Sequence, residues 1–152
     1  MSAGHPYSTL TDLQNRIADA ELIALTNDTV NATTINTSLV SAQIERADTI
    51  IDNYISQVYS VPLDIANAAN VVQLSADLTA YFIWQRRPLE VKMPDEIEKN
   101  YKTAMEVIKM IGDEQIPLIG ATPVDIESPE AKIVSNPRQI DFNDPNNVAS
   151  RF

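Results

Sequence analysis

TSLVSAQIERADTIIDNYISQVYSVPL, residues 37–63, is the stretch whose reading decides the fold. Apolar residues recur at Val40, Ile44, Ala47, Ile51, Tyr54, Ile55 and Val58, the three-four spacing of one face of an α-helix. Glu45, Arg46, Asp48, Asp52 and Gln57 fall mostly on the other side. Thr37 is placed to cap the first turn, because its hydroxyl accepts an orphan amide there. Val61-Pro62 stops the helix, since the residue before a proline is driven out of the α region. A helix over 38–59 spans about 33 Å at the usual rise per residue. The pattern predicts that the other helices pack around this one.

Upstream, Pro6-Tyr7 reads as the start of an extended arm. Thr11-Asp12-Leu13-Gln14 fits a capping box and predicts a short helix over 12–17. Asp19 is the expected cap of a second helix over 20–25, with Leu22, Ile23 and Leu25 turned inward. Residues 26–36, TNDTVNATTIN, favour turns because Asn, Thr and Asp side chains compete for backbone hydrogen bonds. They lack the alternating carboxylates, central Gly and closing Glu of a calcium-binding EF-hand, so the stretch is read as a plain surface loop.

Downstream, a second long helix is predicted over 66–86. Val71, Leu74, Leu78, Tyr81, Phe82 and Gln85 mark its face, and Ile83 and Trp84 widen it. Arg86-Arg87-Pro88 ends it, and the two cations suit the negative end of a helix dipole or a contact with a partner. A third long helix over 94–111 starts with Pro94 as its first residue and acids in its first turn; Gly112 is the expected residue just past its end. The expected core is Ile44, Ile51, Ile55, Leu74, Leu78, Tyr81, Ile97, Tyr101 and Ile108.

From residue 113 the periodicity is lost. Pro117, Pro123, Pro129, Pro137 and Pro145 forbid a long helix. Apolar clusters persist at 116–119, 124–126, 133–134 and 140–142, with no place in a compact three-helix core. The chain is therefore divided into a helical domain, 1–112, and an extended C-terminal arm, 113–152. The arm is read either as a segment that orders on a partner, adding short strands to neighbouring subunits, or as a tail lying partly on its own domain. The expected fold class is all-α: a small bundle of three long helices with a short N-terminal helical hairpin.

At 152 residues and 44% apolar content, one domain with a modest core is expected. The net charge of −10 is a poor match for gripping nucleic-acid phosphates, because that affinity comes from Lys and Arg displacing counterions. It suits a wall past which DNA slides. Without cysteine there is neither a disulfide nor a thiolate metal site. No apolar run is long enough to cross a membrane, and the N-terminal residues lack the pattern of a signal peptide.

The chemistry-bearing motifs are missing. The sole histidine is His5, and the three glycines cannot build a Gly-rich phosphate cradle. Asp48 and Asp52 share one helix face at i, i+4, a spacing that serves acid-base work or metal binding. On an acidic helix such a pair more often faces water or a partner's arginine. No enzyme activity, catalytic residue, metal or cofactor is expected.

Several segments resemble the phage Mu gp36-like proteins. Tyr7-Ser8-Thr9-Leu10-Thr11-Asp12-Leu13, followed by Glu21-Leu22-Ile23-Ala24-Leu25-Thr26, is similar to that family's start. Ile51-Asp52-Asn53-Tyr54-Ile55 and Tyr59-Ser60-Val61-Pro62-Leu63 resemble its most characteristic segment. Leu78-Thr79-Ala80-Tyr81 and Tyr101-Lys102-Thr103-Ala104-Met105 continue it in order, and Asn136-Pro137-Arg138 through Phe142 to Arg151-Phe152 resembles the closing pattern. The chain departs from that family at Val58, where a basic residue commonly precedes the tyrosine, and at the loop 26–36, which lacks the usual glycines.

The resemblance implies a structural head-tail connector in the virion neck, assembled in the host cytoplasm. Its expected partners are its own copies in a ring, commonly a dodecamer, the portal protein, and a neck or tail-completion protein. DNA passes through the lumen without specific binding. The residues expected to meet partners are Arg86 and Arg87 on the helical domain. On the arm they are Ile133, Val134, Arg138, Ile140 and Phe142, and at its end Arg151 and Phe152. Two rival readings remain. One is a DNA-packaging subunit with a helix-turn-helix over 12–25, where only Arg16 is basic; the other is a non-virion α-helical binding module.

Overall fold

A computed structural model describes residues 6–66, 68–87 and 91–124. These form five helices: α1 (Leu10–Gln14), α2 (Asp19–Thr26), α3 (Thr37–Ile55), α4 (Ala69–Gln85) and α5 (Asp95–Gly112). The fold is all-α. Among the described residues the β geometry is one isolated antiparallel bridge, Tyr59 with Pro123.

The centre of the bundle is α4, not α3 as the sequence suggested. It packs against α3 and α5 and also meets α1 and α2. The cause lies in its composition. Val71, Leu74 and Leu78 form the expected face, but Ala76, Ala80, Ile83 and Trp84 are buried as well. A helix that buries more than one face has to have neighbours on more than one side. By contrast α3 buries a single stripe, Val40, Ile44, Ala47, Ile51 and Ile55. Two apolar clusters meet along α4. One joins Ile51, Ile55, Leu78, Phe82 and Ile108; the other joins Leu13, Leu22, Ile44, Ile83 and Trp84.

Seven of the nine expected core residues are buried, and Tyr81 and Tyr101 are half-buried with their rings stacked 3.8 Å apart. Two residues assigned to apolar faces are exposed: Tyr54, on α3, and Gln85, at the end of α4.

The helix ends differ from expectation, each for a local reason. The box of α1 is Thr9 with Asp12: the Thr9 hydroxyl accepts from the Asp12 amide, and Asp12 Oδ2 accepts from the Thr9 amide at 2.8 Å. A carboxylate at the third position is a better acceptor than the Gln14 amide and also favours the positive end of the helix. Asp19 is the first residue of α2 rather than its cap; its Oδ1 accepts from Gln14 Nε2 at 2.8 Å. Asn36, not Thr37, caps α3, with Oδ1 accepting from the Leu39 amide at 3.2 Å. Asp64 forms a turn with Ala66, its Oδ1 accepting the Ala66 amide at 3.0 Å, and delays α4 to Ala69. Pro94 caps α5 instead of opening it.

The early stop of α3, at Ile55 rather than near 59, has a tertiary cause. Residues 58–60 leave the helix to pair with 122–124. Ser60 N–H donates to the Thr122 carbonyl and Val124 N–H to the Val58 carbonyl, both at 2.9 Å. Residues 113–124 therefore lie on the helical body, with Leu118 buried in the first apolar cluster. Of the 116–119 cluster, Ile116 and Leu118 thus have a place in the core, contrary to expectation, whereas Ile119 is exposed. The later clusters of the expected arm, and any ordering of it on a partner, lie outside the described residues.

The end of α5 corrects one glycine. Gly112 is the last helical residue, and the left-handed position falls on Glu114, at φ 58°. Gln115 N–H donates to the Met110 carbonyl at 2.8 Å and Glu114 N–H to that of Ile111 at 3.1 Å, a Schellman arrangement. Gly112 serves a different need. A Cβ there would stand 2.5 Å from the Tyr54 carbonyl oxygen, so the glycine lets α5 approach the α3 backbone.

Candidate functional site

The densest polar cluster is built on α3, whose i, i+4 spacing puts Asp48 and Asp52 on one side. Both are half-buried. They hold the chain's own N-terminal segment. Asp48 Oδ2 accepts from the Tyr7 amide at 2.9 Å, and its Oδ1 accepts from Ser75 Oγ of α4 at 2.6 Å. Asp52 Oδ1 accepts from the Tyr7 hydroxyl. Ser8 Oγ lies 2.8 Å from Ser75 Oγ. The Tyr7 hydroxyl in turn accepts from the Leu63 amide at 2.9 Å. Tyr7 is 2% exposed and Ser8 is buried, so Pro6-Tyr7 does not begin a free arm.

Burial drives the electrostatics of this cluster. It raises the carboxyl pKa of Asp48 and of Asp52 above the usual aspartate range. Hydrogen bonds from Ser75 and from the Tyr7 amide oppose the rise at Asp48, and the Tyr7 hydroxyl opposes it at Asp52. Burial, then the bond to Asp52, lifts the Tyr7 phenol well above its ordinary range. Tyr7 therefore stays a hydrogen-bond donor. Chemically the arrangement is a clamp: two carboxylates bind one strap of chain, residues 6–8, to α3 and α4. Among the described residues no group of three or more His, Asp or Glu could hold a metal ion.

Tyr7 and Ser75 were missed by sequence reasoning. Ser75 carried a signal, a hydroxyl in the middle of an apolar helix that needs a buried partner. Tyr7 carried only its own aromatic ring next to a proline.

The cationic residues are placed as follows. Arg86 bridges away from its own helix: Nη1 donates to the Leu25 carbonyl at 3.1 Å, and Nη2 pairs with Asp28 at 2.8 Å. It thus closes the C-terminal end of α2 and the start of the 27–36 loop. Arg87 is half-buried at the end of α4, where its amide donates to the Trp84 carbonyl at 3.1 Å. Arg16 turns inward, pairing with Asp77 Oδ1 at 2.5 Å and Gln73 Oε1 at 2.7 Å on α4. Arg46 lies over the Phe82 ring, 4.0 Å from its centroid. Ile133, Val134, Arg138, Ile140, Phe142, Arg151 and Phe152 lie outside the described residues.

No curated protein matches the chain. A comparison with models of protein families matches residues 7–135 to the family described as Bacteriophage Mu, Gp36. The matched range takes in all five helices and begins at the tyrosine of the strap.

Proposed function

The chain belongs to the phage Mu Gp36 family, and from that premise we propose that it is a structural head-tail connector of a tailed phage. Copies of it form a ring, on this reading a dodecamer, beneath the portal protein. The ring extends the DNA channel and offers its far face to the next neck or tail-completion protein. It sits in the virion neck. The observation that carries this reading is the use of charge in the helical body. Two of the arginines, Arg16 and Arg86, are tied to Asp77 and Asp28 within the fold. The acids Asp95, Glu96, Glu98, Glu106, Asp113 and Glu114 of α5 and its exit all stand exposed, with Asp95 paired to Lys92 and Glu98 to Lys102. Such walls repel DNA phosphates and let a duplex pass without sticking.

The helix-turn-helix reading loses its only basic residue over 12–25, because Arg16 lies against α4 instead of facing outward. On the connector reading the partner contacts come from Arg87 and from the C-terminal residues named above. The test is to mix the purified protein with purified portal rings and image the product by electron microscopy. An added ring of density coaxial with the portal supports the connector. Portal rings left bare at high protein concentration overturn it.

A further inference from the structure

Three amides bonded to or from residues 58–63 share one feature: each follows a proline. They are Leu63 after Pro62, Leu118 after Pro117 and Val124 after Pro123. Proline lacks an N–H of its own and keeps the residue before it extended, so these segments run outside the helices and their amides find acceptors elsewhere. Two of the three are met by tyrosine hydroxyls. Tyr7 Oη accepts the Leu63 amide at 2.9 Å, and Tyr59 Oη accepts the Leu118 amide at 2.8 Å. The third is met by the Val58 carbonyl at 2.9 Å. All three bonds converge on residues 58–63. That stretch is held by the strap on one side and holds residues 118–124 on the other.

We propose that Tyr7 and Tyr59 form a positioning relay, in which docking of the N-terminal strap sets the path of residues 118–124 along the helical body. The chain of contacts is continuous. Asp48 and Asp52 fix Tyr7. Tyr7 fixes the turn at Leu63. Residues 58–60, just before that turn in the chain, pair with 122–124. Tyr59, in the same stretch, anchors the approach at Leu118. Tyr7, Tyr59, Leu63 and Leu118 also share one apolar cluster, so none shifts without its neighbours. The relay does not depend on the connector role.

The test is amide hydrogen exchange read residue by residue on the full chain, comparing Tyr7→Phe and Tyr59→Phe with the parent. Each substitution keeps the ring and removes one hydroxyl. With Tyr7→Phe, exchange at Leu63 should rise about tenfold, the size expected for one lost buried hydrogen bond. Under the relay, Ser60, Leu118 and Val124 should rise with it, while the interior amides of α5 stay unchanged. Coupling is reciprocal. Tyr59→Phe should therefore accelerate Leu63 as well as Leu118, and it decides the question alone if Tyr7→Phe does not fold. Acceleration confined to the one amide that lost its acceptor overturns the relay. So does a uniform rise across all five helices, which is loss of global stability instead.

Discussion

Single atoms decide several features of this fold, and two neighbouring positions show opposite needs. At Gly112 an alanine would gain about 1 kcal/mol of helix propensity. Its Cβ, however, meets a backbone oxygen of α3 at 2.5 Å, which no side-chain rotation relieves. The clash wins, and Gly112→Ala should lose roughly 1–3 kcal/mol in urea unfolding. At Glu114 the sign reverses. A non-glycine residue at φ 58° carries left-handed strain, so Glu114→Gly should gain about 1 kcal/mol in the same measurement. Asp52 offers a pH test. Its folded pKa is raised, mainly by burial. The native state therefore holds a proton where the unfolded chain has lost one. This group's contribution to stability rises as pH falls from neutral through the folded pKa toward the ordinary aspartate value, the reverse of a salt-bridged carboxylate. The groups facing it are the Tyr7 phenol and Asp48. Asp52→Asn keeps an acceptor for Tyr7 without the charge. Relative to the parent, it should be more stable at neutral pH than at mildly acid pH. A stability difference independent of pH would contradict the raised pKa.

Among the elements, the long helices were legible in the sequence because each is a periodic pattern read at a distance from its ends. The stripe Val40, Ile44, Ala47, Ile51 and Ile55 of α3 is buried as the spacing predicts. Ile51, 1% exposed, tests it: Ile51→Asp buries an unpaired charge worth several kcal/mol and should unfold the domain, seen as loss of cooperative thermal melting. What was not legible is which helix stands in the middle. Periodicity finds the face a helix hides, and α4 hides more than one. Caps shifted by a residue or two because Thr9 and Thr11, or Asn36 and Thr37, carry the same chemistry side by side. The stop of α3 was read as the work of Pro62, whereas pairing of 58–60 with 122–124 ends it earlier. Such a contact is between residues far apart in the chain, and no local rule reveals it. The clamp was half visible: Asp48 and Asp52 were singled out by spacing, but their partners Tyr7 and Ser75 come from two other elements. Arg86 makes its bond to the loop in the same long-range way. Since Asp28 is largely solvent-exposed, Arg86→Ala should cost little global stability, within about 1 kcal/mol. It should instead speed proteolytic cleavage within residues 27–36.

For the whole molecule, fold and charge together fix what an assembly experiment has to separate. The net charge of −10 leaves little counterion release to drive DNA binding. Duplex DNA should therefore not bind at submicromolar concentration in ~100 mM salt. The proposed ring has to be held by protein contacts, and the described body shows where to cut to find them. A truncation at Gly120 would remove Thr122 and Val124, whose bonds to residues 58–60 belong to the body itself. Ending the chain after Val124 keeps those bonds, the Tyr59–Leu118 contact and helices α1 to α5. It removes Ile133, Val134, Arg138, Ile140 and Phe142, along with Arg151 and Phe152. The shortened protein should melt within a few degrees of the parent, because each contact described above is retained. On the connector reading it should fail to join portal rings, since ordering a long segment on a neighbour is offset only by contacts made in the ring. Complementation of a phage lacking the gene, scored by electron microscopy, gives the decisive count. Heads without tails are the expected outcome. Normal tailed particles from the truncation would assign the ring contacts to the helical body and leave residues 125–152 no part in assembly.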